Sequence, residues 1–279
     1  MVKLGFHVSI SGTIDKAVDR AMELGCDTFQ IFSRNPRSWG FRPLDEGEVE
    51  AFKEKKRRTG IGPAFVHMPY ILNLASPDEE VYRRSVDSLA VELSRCAALD
   101  VPFLVTHIGS HLGAGTDRGI ARITEAINTA FDLQNEPVTV LLENGSGSGH
   151  QVGSSLEELP RILEGLDAGR VAVCFDTCHA FAAGYELRTP RGLAETLEVF
   201  NGTIGFKRLK LVHLNDSTGS LGSGIDNHEH IGLGEIGDEG FRLILHSQLS
   251  KVPMIMETPV DDRGSDADNM KKVRDLAAE

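Results

Sequence analysis

Lys210 to Gly232 reads KLVHLNDSTGSLGSGIDNHEHIG. Its left half, KLVHLND, is an apolar run that ends in polar residues, the pattern of a buried strand whose end reaches solvent. Its right half, DNHEHIG, reads as a loop. His213, Asp216, Asp226, His228, Glu229 and His230 all fall here, and three of the chain's ten histidines are among them. Asp226 and His228 are two apart, so in an extended segment both side chains leave the same side of the backbone. A carboxylate oxygen and an imidazole nitrogen converging on one point suit a divalent metal, zinc in particular. Taken alone, the segment reads more readily as a solvated polar loop. The other strand ends decide between the two.

Outward from this stretch, apolar runs alternate with longer amphipathic segments along the whole chain. Strands are expected at Leu4–Ile10, Cys26–Ser33, Pro63–His67, Val101–His107, Val138–Glu143, Val171–Asp176, Leu209–His213 and Val252–Glu257. Helices are expected from Thr13 to Leu24, closed by Gly25; up to about Thr59; from Pro77 to Leu99, with an acidic first turn; through Phe131; near Ser155 to Leu166; and from about Asp266. Short, continuously apolar strands suit a parallel sheet covered on both faces. Eight such units in about 250 residues predict an α/β fold, a (β/α)₈ barrel with its active site at the C-terminal strand ends. Residues 1–279 read as one domain, since no linker-like segment interrupts them. A doubly wound open sheet is the rival, and no G-x-G-x-x-G follows the first strand to support it.

The net charge of −12 and a pI near 5.3 argue against a generally basic nucleic-acid binder, but not against a local cationic site. Cys26, Cys96, Cys174 and Cys178 show no disulfide-framework spacing. No apolar run approaches the roughly 20 residues of a membrane span. Met1 leads straight into an apolar strand with no signal peptide, so a reducing cytoplasm is the expected compartment.

The strands share one trait: they end in a metal-capable residue. They read FVH to His67, LVTH to His107, VLLE to Glu143, VCFD to Asp176, LVH to His213 and IMETP with Glu257. His179 follows Asp176 by three, and Asp226 and His228 follow in the loop. Six of eight strand ends are hard to attribute to capping or solvation. In a barrel all these ends meet at one face. The set is five histidines and four carboxylates, too many for one tetrahedral ion. It suits two or three ions if some carboxylates bridge, the usual device for hydrolysing phosphate esters. Without metal, those carboxylates would repel each other and any phosphate.

Other features carry blander readings. His111, His150, His230 and His246 read as structural or exposed. His7, ending the first strand, reads as supporting a ligand or touching substrate. Cys174 and Cys178 bracket Asp176; a thiolate site is conceivable, but buried thiols fit better because no C-x-x-C or second pair exists. ENGSGSGHQVG lacks the lysine of a P-loop and reads as a turn that lets backbone approach the site.

At these residues the chain resembles the endonuclease IV family of zinc-dependent apurinic/apyrimidinic endonucleases. GFHVSISG, HIGSHLGAG, LLENGSGSG, CFDTCHAFAAGYE, HLNDS and D-N-H match its motifs in order across nearly the whole chain. Ile108 and Ser148 depart from the family's common proline and glutamine, but neither removes a ligand.

The resemblance implies a DNA-repair enzyme on a TIM barrel. It would cleave the phosphodiester 5′ to an abasic site in double-stranded DNA, leave a 3′-hydroxyl and a 5′ deoxyribose phosphate, and clear blocked 3′ ends. It implies three zinc ions, with Mn²⁺ admissible in some sites. His67 and His107 would hold the first, Glu143 would bridge first and second, Asp176, His213 and Glu257 would complete the second, and His179, Asp226 and His228 would hold the third. A hydroxide shared by the first two ions, with Glu257 beside it, would attack phosphorus, and the third ion would stabilise the leaving oxygen. Glu143 and Glu257 are thus the catalytic carboxylates. Arg37, Tyr70 and Ile71 stand where the family fills the gap left by an extruded nucleotide, and Arg34, Arg37 and Arg42 are expected to form a basic rim. A metal-dependent sugar isomerase or epimerase on the same barrel is the alternative.

Overall fold

The computed structural model describes residues 2–279. Eight parallel strands close into a barrel: β1 (Leu4–His7), β2 (Thr28–Phe32), β3 (Ala64–His67), β4 (Phe103–His107), β5 (Thr139–Glu143), β6 (Val171–Asp176), β7 (Leu209–His213) and β10 (Met254–Met256). Around the barrel the order is β1-β10-β7-β6-β5-β4-β3-β2. Each strand pairs with its chain neighbours, and β10 closes on β1, as right-handed βα repetition requires.

Two apolar layers divide the strand residues. Phe65, Val105, Leu141, Ala172, Cys174, Leu211 and Ile255 pack inside the barrel. Their neighbours Val66, Leu104, Val140, Leu142, Val173, Phe175, Val212, Met254 and Met256 face outward into the larger core under the helices. Side chains alternate along a strand, so the residue two positions after each inward one also points inward, one layer higher. From Phe65, Val105, Leu141, Cys174, Leu211 and Ile255 that rule leads to His67, His107, Glu143, Asp176, His213 and Glu257. On β1 and β2 it gives His7 and Gln30, which are register partners. Gly5 occupies the layer below, where a Cβ would stand 1.8 Å from the carbonyl oxygen of Thr28; only glycine lets these two strands meet there.

The covering helices are α1 (Lys16–Glu23), α2 (Glu46–Thr59), α3 (Glu79–Ala98), α4 (Thr116–Leu133), α5 (Glu158–Leu163), α6 (Thr177–Ala182), α7 (Pro190–Thr203), α8 (Gly237–Leu245) and α9 (Asp266–Ala278). Gly25, at φ 70°, ends the first of them. Asp45 and Asp78 cap α2 and α3 by accepting from Glu48 N (3.0 Å) and Val81 N (2.9 Å), satisfying otherwise orphaned amides. The sequence did not locate α6, α7 or α8. The segment read as a loop after β7 also differs: Asp216–Ser217 (β8) and His228–Glu229 (β9) pair antiparallel in a short ribbon. Asp216 stiffens it by accepting backbone N–H groups from Ser217 (2.8 Å), Gly232 (2.9 Å), Gly234 (3.1 Å) and Ile236 (2.9 Å). Among the described residues no helix is long and apolar enough to cross a membrane.

Candidate metal centre

The strand-end residues converge on one mouth. Three sets of ligand atoms lie within 4.8 Å of one another: His67, His107 and Glu143; Glu143, Asp176 and His213; His179, Asp226 and His228. Glu143 belongs to two of them. Its Oε2 is 3.1 Å from His67 Nε2 and 3.7 Å from His107 Nε2, while Oε1 is 2.9 Å from His213 Nδ1. Glu257 approaches the second set, its Oε2 3.6 Å from His213 Nδ1. In the third set His179 Nε2 meets Asp226 Oδ1 at 2.9 Å, and His228 Nε2 lies 3.9 Å from both Asp226 Oδ1 and Asp176 Oδ2. His67, His107, His179, Asp226, His228 and Glu257 line a cleft of about 410 Å³ together with Tyr70, Asn227 and Pro259.

Four of the five imidazoles have their outer nitrogen committed to a carbonyl. His67 Nδ1 donates to Met68 O (2.7 Å), His179 Nδ1 to Asn144 O (3.0 Å), His228 Nδ1 to the Glu257 carbonyl (3.1 Å), and His213 Nε2 to Gln30 Oε1 (3.0 Å). Each bond commits one ring nitrogen and turns the other toward the neighbouring carboxylates, the arrangement of histidines that bind metal. The His228 Nε2 is buried and finds no hydrogen-bond partner among the described residues; a cation would satisfy it. Asp176 joins two sets through its place at a strand–helix junction. Its Oδ1 caps α6 by accepting from His179 N at 2.7 Å, and its Oδ2 accepts from Asn215 Nδ2 at 2.8 Å. The cap therefore fixes the separation of Asp176 from His179.

The electrostatics agree with a cation-binding mouth. Burial alone would raise the Glu143 carboxyl, but the facing His107 and His213 outweigh it and hold Glu143 well below the usual range. Burial is likewise overcome at Glu257, chiefly by His213 and His7. At His179 burial opposes protonation, yet Asp176, Asp226 and Glu143 raise the imidazole to about 10. Metal-free, the carboxylates thus hold protons on His179 and His213 against the cost of burial, and divalent ions would replace those protons. Cys178 also lies near Asp176 and His228, but burial raises its thiol, and burial pushes Cys174 up to about 12. All four cysteines are free and buried, so a neutral thiol, not a thiolate, stands beside the site.

The expected contact residues are distributed unevenly. Tyr70 is 59% exposed beside the cleft, its ring edge-on to Phe32 at 5.0 Å and to His107 at 6.4 Å. Ile71 lines a second cleft of about 360 Å³ with Tyr70, Asn73, His107, Glu143 and Gln151. Arg37 is exposed on the loop after β2. His7 turns inward, Nδ1 3.2 Å from Glu257 Oε1. The basic rim needs correction. Arg34 is buried, its Nε 2.6 Å from Glu92 Oε1, and Arg42 is paired with Glu48 at 2.7 Å. Of the three arginines Arg37 alone keeps its charge unpaired among the described residues. Gln30, Asn144 and Asn215 were not singled out from sequence. A lone amide in the apolar run TFQIF, and an asparagine directly after Glu143 or one past Leu214, were the available signals.

With this geometry in place, the wider kinship is clear. Residues 18–278 match the family model of xylose isomerase-like TIM barrels. A D-tagatose 3-epimerase-like protein, 21% identical with a TM-score of 0.73 over 99% of this chain and 98% of its own, shares that fold. Such distant likeness defines the class of barrel and no more. A probable endonuclease 4 of Methanoculleus marisnigri is 55% identical over 280 residues, 99% of each chain. The crystal structure of endonuclease IV from Thermus thermophilus is 37% identical, with a TM-score of 0.88 over 99% of both chains. The chain belongs to the endonuclease 4 family.

Proposed function

We propose that this chain hydrolyses the phosphodiester on the 5′ side of abasic sites in double-stranded DNA, leaving a 3′-hydroxyl and a 5′ deoxyribose phosphate, and that the same site trims blocked 3′ ends. The observation that carries the reading is Glu143, whose two oxygens serve two adjoining ligand sets. The donor set fits three ions, zinc before manganese because imidazole nitrogen is plentiful. His67, His107 and Glu143 would hold one; Glu143, Asp176, His213 and Glu257 the next; His179, Asp226 and His228 the third. Bound there, divalent ions supply Lewis-acid charge and lower the pKa of water.

The chain's own groups do the rest. Carbonyl acceptors orient the imidazoles. Glu257, with 19% of its side chain exposed, is the carboxylate placed to guide a water proton at the mouth. Tyr70 and Ile71 stand beside the cleft to fill the space left when the abasic nucleotide swings out of the duplex, and Arg37 meets the backbone phosphates. The protein would work as a monomer in the cytoplasm, alongside the DNA. The test is incubation with a duplex carrying one tetrahydrofuran abasic analogue, beside elemental analysis of the purified protein. Incision at that position with about three zincs per chain is expected; an intact strand in the presence of metal would overturn the reading.

A further inference from the structure

Gln30 occupies the same interior layer as the strand-end ligands and is fully buried. Its amide spans two of them. Nε2 lies 2.8 Å from Glu257 Oε1, and Oε1 lies 3.0 Å from His213 Nε2. An ionised carboxylate only accepts, so the end facing Glu257 must be the NH₂. The carbonyl end must then face His213, whose Nε2 must carry hydrogen. The His213 lone pair is thereby placed on Nδ1, the nitrogen that faces Glu143 Oε1 at 2.9 Å and Asp176 Oδ2 at 3.8 Å. On the other side Gln30 and His7 both engage Glu257 Oε1, which turns Oε2 toward His213.

From this geometry we infer that Gln30 is a positioning residue. It sets the His213 tautomer and the Glu257 carboxylate orientation together, and through them the affinity of the metal position these two share with Asp176. The inference rests on the metal-centre reading above. Charged and apolar side chains of this size fail one partner or both. A carboxylate accepts from His213 but repels Glu257; an ammonium donates to Glu257 but leaves His213 without an acceptor; an apolar chain does neither. Among the described residues the Gln30 side chain bonds to His7, Glu257 and His213 alone, so its removal acts on one position of three.

The experiment titrates zinc into metal-stripped, full-length wild type and Gln30→Met against a chromophoric chelator, with thermal melts to check folding. The expected result is an affinity loss of about 10–100-fold at one position, with the others unchanged, and a fall in kcat at unchanged KM for DNA. In ¹⁵N-histidine-labelled, zinc-loaded wild type, His213 should show a solvent-protected Nε2–H. Gln30→Glu keeps an acceptor for that proton and should retain the signal while still losing turnover. A folded Gln30→Met with wild-type zinc affinity overturns the inference, and so does an Nδ1–H tautomer at His213, a reading that needs no variant. Wild type that binds no zinc sinks the metal-centre reading itself, a distinct outcome.

Discussion

Glu143 gives one carboxylate oxygen to His213, whose Nδ1 lies 2.9 Å from Oε1, and keeps the other for His67 on the opposite side of the mouth. The carboxylate is almost wholly buried. A carboxylate this deeply buried is costly unless positive charge shares it, on protonated imidazole or on metal ions. Glu143→Gln should therefore disturb two ligand sets at once. Zinc content should fall by more than one ion, and kcat/KM should drop about 1,000-fold, the several kcal/mol that metal charge supplies at a transition state. Elemental analysis together with single-turnover incision checks this; full metal content would show that Glu143 does not bridge.

Glu257 is held from both sides, by Gln30 on Oε1 and near His213 on Oε2. Glu257→Gln keeps size and shape but removes the charge. Duplex binding in gel-shift experiments should survive while incision is lost; normal turnover by the variant would remove Glu257 from the chemistry.

Acidity supplies a third test. His179 is raised from 6.5 to about 10 by Asp176, Asp226 and Glu143, against the cost of burial. A group whose folded pKa is raised stabilises fully below its unfolded value and loses that contribution as pH climbs through the folded one. The metal-stripped protein should thus melt at progressively lower temperature between about pH 6.5 and 10. Zinc must displace those protons, so its affinity should rise with pH across the same window. Calorimetry in buffers of different ionisation enthalpy counts the protons released; none released would mean the imidazoles are already neutral.

Tyr70 touches the cleft with an exposed ring, edge-on to Phe32, and among the described residues its hydroxyl makes no hydrogen bond. Tyr70→Ala should leave zinc content and melting temperature close to wild type and weaken binding to abasic duplex by about 10–100-fold, the 1–3 kcal/mol of one stacking contact. Fluorescence anisotropy with a labelled duplex reads it. An unchanged affinity would leave Tyr70 as a wall of the cleft only.

The loop that carries Arg37 is tied down from below. Arg34 and Glu92, 3% and 0% exposed in their side chains, form an ion pair at 2.6 Å, and Arg34 also donates to Ser38 O at 3.2 Å and Trp39 O at 3.3 Å. Breaking one partner leaves a buried charge without compensation. Glu92→Gln should cost about 3–5 kcal/mol, seen as a lower urea midpoint, and should raise the KM for DNA through the loosened loop. A stability loss below about 1 kcal/mol would place the pair among those that contribute little.

How much of this was legible differs from residue to residue. His67, His107, Glu143, Asp176, His213 and Glu257 stood out because each ends an apolar run, and because side-chain alternation puts it two positions beyond an interior residue. The same rule reaches Gln30, but an amide in TFQIF carries no metal-ligand signal, so its role emerges only from the two partners it spans. Arg34 misled for a physical reason. An arginine looks the same in sequence whether its guanidinium meets solvent or a carboxylate on another element, and Glu92 lies on α3, far along the chain. The ribbon of Asp216–Ser217 with His228–Glu229 escaped because two-residue strands leave no periodicity to read.

By itself the sequence determined the alternation of strands and helices, the parallel barrel, and the chemical identity of the strand ends, since these follow from local hydrophobic patterning. Only the tertiary structure decided which imidazole faces which carboxylate, which ring nitrogen is free, and which arginine is open to solvent. Those pairings join residues as far apart as Gln30 and Glu257. They are set by barrel closure and strand register, which no local stretch of chain encodes.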